Sequence, residues 1–534
     1  MDKSIRVLAV DDEDYMLKIL KVCLPSPVFQ LTTCSDAMGA MSVFKQGNFD
    51  LVILDVVMPG IDGFELHSLI RHINQNVPII MLTAKIDDID GTMISRISND
   101  KNTYYQSKGF KKDELVARIT GIVNQLKREE SRRVYFEEME RDIALAGEVQ
   151  HAMFPHWNSI QDGVHISFFY RPYMKITGDL FNLIPISDGV YLAIIGDISG
   201  HGIQAALCMS AIQFSLVNMI RNARTETLKP HVILNHLQSF LVNIVDGRYM
   251  TCIVGIVDYN KNTVSYQNAG HPDFILYSPK EEAILEVNPG KKGSLPVGLV
   301  RGHVYTESDS VTVDFPPDSI FFFYTDGLTD LQDKIGRTYK TNPLHEFVGT
   351  FAKHGLTNST TFRIVDALFK LGFDEIKDDI SLAAVARHVD KPHAYDYSIK
   401  PMVSAVDEFA SGVSDYIVRT LHDDMLAARI EILISEFLNN VVVHGLGNKN
   451  MNRPIISAHL EFSENQIVLD FCDKGKEWDM RSEAHDEDTQ SDVLNYQRAT
   501  SGRGLSLIKK ITSSIRRSRY AGLLNETVFT VDRK

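Results

Sequence analysis

Four aspartate motifs recur at strand-to-turn junctions in the middle of this chain. LAIIGDISGHG carries Asp197 from an apolar run into a turn of small residues, and FFFYTDGLTD does the same for Asp326. KDDIS presents Asp378 and Asp379, and ITGDLF presents Asp179. A carboxylate at a strand end, with Gly196 and Gly200 giving the backbone room near Asp197, can reach a hard divalent cation and leave one face of it open. One such junction also reads as a simple helix cap. Four in one stretch predict a carboxylate-lined metal cluster.

Two further constellations flank this one. Asp11 and Asp12 follow the strand pattern IRVLAV, Asp55 ends LVILD, Thr83 ends IIMLT, and Lys108 follows NTYYQ. In a doubly wound sheet the carboxyl ends of the central strands form the ligand crevice. Three carboxylates there would bind one Mg²⁺ and leave Asp55 as nucleophile toward a phosphoryl donor, with Thr83 and Lys108 meeting the new phosphoryl oxygens. Near the C-terminus, ISEFLNNVVVHG spaces Glu436, Asn440 and His444 by four, which aligns them on one helix face. DFCDKG then ends a strand with Asp473 and Gly475, and SGRGLSLI opens a helix with Gly502 and Gly504 available to phosphate.

The elements that must position these groups fall into three blocks. From Ile5 to about Leu126, short apolar strands alternate with helical patterns, which predicts a parallel sheet covered on both faces. From about Pro155 to Val389 strands dominate, with helical stretches near 204–221 and 229–245, which predicts an α+β sandwich. From about Tyr395 a long helical region precedes the strands IISAHLEF and QIVLDFCD. Between the first two blocks a continuous helical pattern runs from about Lys111 to Met153. Leu115, Ile119, Ile122 and Leu126, then Phe136, Met139, Ile143, Ala146, Gln150 and Met153, follow heptad spacing, which predicts a dimerising coiled coil.

Bulk properties bound the function. The 534 residues suffice for roughly three or four domains. A net charge of −14 argues against a nucleic-acid or anionic-membrane surface. The five cysteines are scattered without a CxxC pair, as in a reducing cytoplasm rather than a disulfide frame. No signal peptide and no run near the roughly 20 apolar residues of a membrane span are read, so a cytoplasmic location is expected.

The first set of residues resembles the receiver domain of bacterial response regulators, over residues 1–126. Tyr105 stands at that family's switch-aromatic position, and Gly109 replaces its usual proline. After a helical linker over 127–155, the motifs TGDLF, GDISGHG, NAGHP, LPVGL, YTDGLTD and DDIS resemble the PPM (PP2C-like) serine/threonine phosphatases of the SpoIIE and RsbU branch, over 156–390. That resemblance implies two Mn²⁺ or Mg²⁺ ions bridged by Asp197. It puts the Ile198 carbonyl on one ion, Asp326 and Asp378 on the other, Asp179 acting through bound water, and Asp379 at the adjoining position. Residues 395–534 resemble the GHKL ATPase fold, an α/β sandwich, in its anti-sigma serine-kinase branch. The resemblance implies ATP with Mg²⁺ on Asn440, Glu436 as general base, His444 lining the pocket, Asp473 on the adenine, and Gly475, Gly502 and Gly504 near the nucleotide. Glu477 departs from the family's first glycine box.

Together the three resemblances imply a response regulator of bacterial partner switching. A sensor histidine kinase would phosphorylate Asp55. The substrate would be a STAS-domain anti-sigma-factor antagonist, with a sigma or anti-sigma factor as further partner and the linker helix joining a homodimer. The alternative is that the C-terminal domain only binds a sigma factor or antagonist, or that the phosphatase serves another phosphoprotein.

Overall fold

The computed structural model describes residues 4–84, 100–161, 163–200, 202–224, 227–244, 247–288, 293–339, 342–389, 393–447, 455–477 and 501–533. The chain divides into two compact units, Met1–Asp142 and Ile143–Lys534.

In the first unit five parallel strands, β1 (Ile5–Val10), β2 (Phe29–Cys34), β3 (Leu51–Asp55), β4 (Ile79–Thr83) and β5 (Thr103–Ser107), stand in the order 2-1-3-4-5. β3 and β4 are buried along their whole length, the signature of a central strand covered on both faces. Two apolar layers result. Val7, Ala9, Leu51 and Ile53 pack to one side, and Leu8, Val10, Val52 and Leu54 to the other. This is the predicted doubly wound sheet.

The helix Lys112–His151 follows. Its Leu115, Ile119 and Ile122 are buried in the receiver core and Leu126 packs against it. That half of the heptad is therefore spent within one chain and does not form a seam between chains. Phe136 and Met139 are exposed.

The second unit begins with two antiparallel sheets. One has the order β14-β11-β10-β9-β8 and the other β13-β12-β15-β16-β7-β6. Their strands are β6 (Asn158–Gln161), β7 (Val164–Arg171), β8 (Asp179–Ser187), β9 (Val190–Ile198), β10 (Met250–Asp258), β11 (Thr263–Ala269), β12 (Ile275–Ser278), β13 (Ala283–Leu285), β14 (Val311–Asp314), β15 (Ile320–Tyr324) and β16 (Ile380–Arg387). Phe168, Phe181, Ile194, Phe321, Phe323 and Val385 meet between the sheets. The helices Ile203–Asn222 and Pro230–Ile244 join that core, while Asn342–Ala352 and Thr360–Lys370 back the second sheet. One of them corrects the reading of the sequence. Ile203–Asn222 is long and apolar enough by composition to cross a membrane, but Ala205, Met209, Ile212 and Leu216 are buried in the sandwich core.

The remainder is a sheet of order β17-β18-β19-β21-β20, from β17 (Ala394–Ile399), β18 (Ile456–Phe462), β19 (Gln466–Asp473), β20 (Ser514–Tyr520) and β21 (Leu524–Asp532). The helices Val403–Leu421, Asp424–Asn440 and Ser501–Ile511 cover one face. The sequence pattern placed helices first here. In fact β17 comes first as an edge strand, because its Ala394–Ile399 run is too polar to announce itself by alternation. Cys472, Ala521 and Leu524 on the sheet's other face join the core around the helix Thr360–Lys370, so the two folds of this unit share one hydrophobic layer.

Candidate active site

The receiver residues converge as the sheet order requires, since Asp11, Asp55, Thr83 and Lys108 all sit at or just beyond the carboxyl ends of β1, β3, β4 and β5. Lys108 Nζ lies 2.9 Å from Asp55 Oδ2 and 3.1 Å from Asp11 Oδ2. Burial raises the Asp55 carboxyl above its usual range, and the hydrogen bond from Lys108 works against that rise. Burial also opposes the Lys108 ammonium, but its bonds to Asp55 and Asp11 prevail and hold it above the ordinary lysine value. Oxygens of Asp11, Asp12 and Asp55 lie within 4.8 Å of one another, and the buried Asp11 Oδ2 faces the Lys108 ammonium. Such a donor set suits a hard divalent cation. The hydroxyl of Tyr105 is buried and meets no hydrogen-bond partner among the described residues. Lys108 N donates to the Thr83 carbonyl (2.7 Å), which fixes the loop where Gly109 stands.

In the sandwich, Asp179 and Asp197 are direct cross-strand partners at the adjoining ends of β8 and β9. Asp179 is fully buried, and its Oδ2 accepts from Ser381 Oγ (2.6 Å) and Thr325 Oγ1 (3.0 Å). Asp326 opens the short helix Asp326–Thr329 after β15, and Asp378 precedes β16. Gly327 lets these two turns meet, because a Cβ there would overlap the Asp379 carbonyl. Asp379 spends both oxygens on one segment: Oδ2 accepts from Thr177 Oγ1 (2.7 Å) and Gly178 N (2.9 Å), and Oδ1 from Tyr173 N (2.8 Å).

Burial and mutual repulsion dominate the electrostatics. Desolvation, then the charges of Asp326, Asp378 and Asp379, push Asp197 up to about 8. Asp179 is raised well above the carboxylate range by burial and by Asp197 and Asp379. Burial and Asp378 raise Asp326. Carboxylates gathered this way are stable as anions only when a cation joins them. A second feature fits such cations: a Cβ on Gly178 would stand 3.2 Å from the Ile198 carbonyl oxygen and 3.4 Å from Asp197 Oδ1, so the glycine leaves that corner open. Among the described residues, no three of these acids bring ligand oxygens within 4.8 Å of one another as the receiver trio does.

Further residues within these motifs and the linker helix take part. Thr325 and Ser381 orient Asp179. His271 of NAGHP bonds Thr251 Oγ1 (2.9 Å), opposite Asp197, and the Tyr324 carbonyl (3.1 Å). Burial pushes its pKa down to about 4, so it braces the strand ends as a neutral ring. Gln150, at the end of the linker helix, is buried and bonded to Thr177.

In the C-terminal fold Glu436 is exposed and Asn440 half-buried, while Ile434, Leu438, Val441 and Val442 on the other face are buried. Val441–Gly445 form a π turn closed by Leu446 N to the Val441 carbonyl (2.9 Å), and His444 within it is exposed. Asp473 Oδ1 accepts from Gly475 N (2.7 Å) and Asn525 Nδ2 (2.9 Å). A Cβ on Gly475 would meet Gly445 backbone at 2.9 Å, so the strand end and the π turn touch. Gly502 and Gly504 lie in the first turn of the helix Ser501–Ile511. Trp478 and the segment before SGRG fall outside the described residues.

Three family profiles match in chain order: the response regulator receiver domain over residues 7–120, stage II sporulation protein E over 187–388, and the histidine kinase-like ATPase domain over 400–530. The chain carries a receiver domain, a SpoIIE-type (PP2C-like) phosphatase domain and a histidine kinase-like ATPase domain. It is similar to the phosphoserine phosphatase RsbU of Bacillus subtilis, 23% identical over 52% of this chain and 79% of that one. It is also similar to the transcriptional regulatory protein TcrA of Mycobacterium tuberculosis, 34% identical over 22% of this chain and 46% of that one. Among solved structures, the RsbU and RsbW domains of a Mycobacterium tuberculosis protein match 70% of this chain and 94% of theirs, at 18% identity and a TM-score of 0.37. The PP2C domain of SiaA from Pseudomonas aeruginosa matches 48% and 99%, at 17% identity and a TM-score of 0.40.

Proposed function

We propose that this phosphatase removes phosphate from a serine or threonine of a STAS-domain anti-sigma-factor antagonist, under control of the phosphorylation state of Asp55. The observation that carries the reading is the Asp179–Asp197 cross-strand pair beside the open corner at Gly178. Asp197, the Ile198 carbonyl, Asp326 and Asp378 would hold two Mn²⁺ or Mg²⁺ ions. Such a pair supplies a nucleophilic water and neutralises the phosphoryl group under attack. Ser381 and Thr325 hold Asp179 in one orientation, so that it receives a proton at Oδ1 or orients the water. Asp379 supports the site through the 173–178 segment. The catalytic work is pre-arranged charge, with no covalent protein nucleophile.

In the receiver, Mg²⁺ held by Asp11, Asp12 and Asp55 would supply charge neutralisation for phosphoryl transfer from a sensor kinase. Thr83 and Lys108 take the new oxygens, so Lys108 exchanges Asp55 for the phosphoryl group. The C-terminal fold would bind ATP with Mg²⁺ on Asn440 and adenine on Asp473. Glu436 would serve as base for a serine of the same antagonist, and two copies would join through the exposed Phe136 and Met139 of the linker helix.

The test compares dephosphorylation of the cognate phosphoprotein in Mn²⁺ by the native chain, Asp55→Ala and Asp197→Ala. Equal turnover by Asp197→Ala rules the mechanism out. Transfer of label from ATP to a serine of the antagonist distinguishes a kinase from a binding module.

A further inference from the structure

The loop that ends β19 faces two ways. Asp473 and Gly475 turn toward the π turn at Gly445, and Lys474 between them reaches into the phosphatase fold. Its Nζ lies 5.6 Å from the ring centre of Trp157 and 5.0 Å from that of Phe362. Both rings are buried and packed edge to face, 5.9 Å apart. No ion pair to Lys474 exists among the described residues. Among the described residues the half-buried ammonium faces the two rings without a counter-ion, a geometry that attracts a cation to a ring. Desolvation lowers its pKa from the ordinary lysine value to about 8.

The contact is part of a broad seam. Asn358 Nδ2 donates to Ser457 Oγ (3.1 Å), Ser359 Oγ donates to Glu526, Ala521 N donates to Asp366 Oδ1 (2.9 Å), and Arg363 lies over Tyr520. Trp157 leads into β6, and its carbonyl accepts from Phe168 N (2.7 Å) on β7. β7 pairs with β16 so that Arg171 stands opposite Ile380, directly after Asp378 and Asp379. On the other side, Gly475 O accepts from Arg519 and Asn525, so the loop has little slack of its own. A group that engages Asp473 and Gly475 bears on a loop whose middle residue rests on the two rings.

We propose that an adenine nucleotide in the C-terminal pocket is an allosteric ligand of the phosphatase, acting through Lys474 on Trp157 and Phe362. The proposal rests on the nucleotide reading of Asp473. It adds that the pocket has a second use besides any phosphoryl transfer: it reports nucleotide supply to the metal site. In binding free energy such coupling is reciprocal, so Mn²⁺ in the phosphatase alters nucleotide affinity by the factor by which nucleotide alters Mn²⁺ affinity.

The chain has two tryptophans, Trp157 and Trp478. In the full chain carrying Trp478→Phe, ADP with Mg²⁺ is titrated while Trp157 emission is followed. Calorimetry gives ADP affinity independently, and p-nitrophenyl phosphate with Mn²⁺ reports turnover. The expected result is an emission change with the same midpoint as ADP binding and a change in turnover of about fivefold or more. Lys474→Met should bind ADP and lose both responses, and Lys474→Arg should keep them. ADP binding with constant Trp157 emission and constant turnover overturns the coupling, as do intact responses in Lys474→Met. No ADP binding at all overturns the nucleotide reading and the coupling with it.

Discussion

Gln150 and Thr177 are joined by a reciprocal pair of hydrogen bonds: Gln150 Nε2 donates to the Thr177 carbonyl (2.8 Å) and Thr177 N donates to Gln150 Oε1 (2.9 Å). Thr177 Oγ1 in turn donates to Asp379 and accepts from Asp179 N. The last turn of the linker helix is thus two residues in contact away from the acids of the phosphatase, and Gly147 packs against the Lys175 carbonyl beside it.

Gln150→Leu fills the same space but leaves Thr177 N and its carbonyl unpaired in a buried site, a penalty of about 1–3 kcal/mol for each group. The 173–178 segment then loses its hold on the linker. Turnover of phosphoprotein in saturating Mn²⁺ should fall about tenfold, a displacement of roughly 1.4 kcal/mol. Steady-state kinetics and a thermal melt separate this from unfolding. Unchanged turnover would mean that the linker does not act through Gln150.

Gly178→Ala tests the open corner. Its methyl would sit 3.2 Å from both the Ile198 carbonyl oxygen and Ala205 Cβ, closer than ordinary contact. Mn²⁺ affinity by calorimetry should drop at least about tenfold, or roughly 1.4 kcal/mol, while the melt stays near that of the native chain.

Gly475→Ala tests the C-terminal pocket in the same way. A methyl 2.8 Å from Asp473 Oδ1 and 2.9 Å from Gly445 backbone forces the strand end away from the π turn. ADP affinity should fall about tenfold or more, measured by calorimetry, with phosphatase folding retained.

The receiver carries a pH dependence of its own. Burial opposes the charge on Asp100, but hydrogen bonds from Thr103, Arg71 and Asn102 N outweigh it and hold the carboxyl at about 2, against an ordinary 3.8. A folded-state pKa below the unfolded one stabilises the fold above about 4 and loses that contribution as pH falls toward 2. The difference corresponds to about 2 kcal/mol. Urea melts of the receiver unit should show Asp100→Asn destabilised by about that much at pH 6, with the gap narrowing toward pH 2. A constant gap would assign the effect to packing.

Much of this was legible in the chain itself because strand ends announce themselves. An apolar run, an acid and a glycine describe a carboxylate at the edge of a sheet, and the sheet orders bring Asp11 to Asp55 and Asp179 to Asp197 as that pattern predicts. The heptad was legible but ambiguous. Leu115 and Ile119 have the spacing of a seam, and the same spacing serves a helix packed on its own sheet. Gln150 reads in the sequence only as a seam position of that heptad, and its bonds to a partner 27 residues away are not visible there.

The sequence by itself determined the types of chemistry: which acids end which strands, where glycine admits a carbonyl, and which helix face is apolar. These are local properties, set by side-chain alternation and backbone freedom over a few residues. Tertiary packing settled which acids hold hydrogen bonds and which stay open, that the helix carrying Glu436 and Asn440 runs into a π turn at His444, and that Lys474 lies over the paired rings of Trp157 and Phe362. Those relationships join residues far apart in the chain. They are fixed by how sheets and helices pack, and no window of sequence contains both partners.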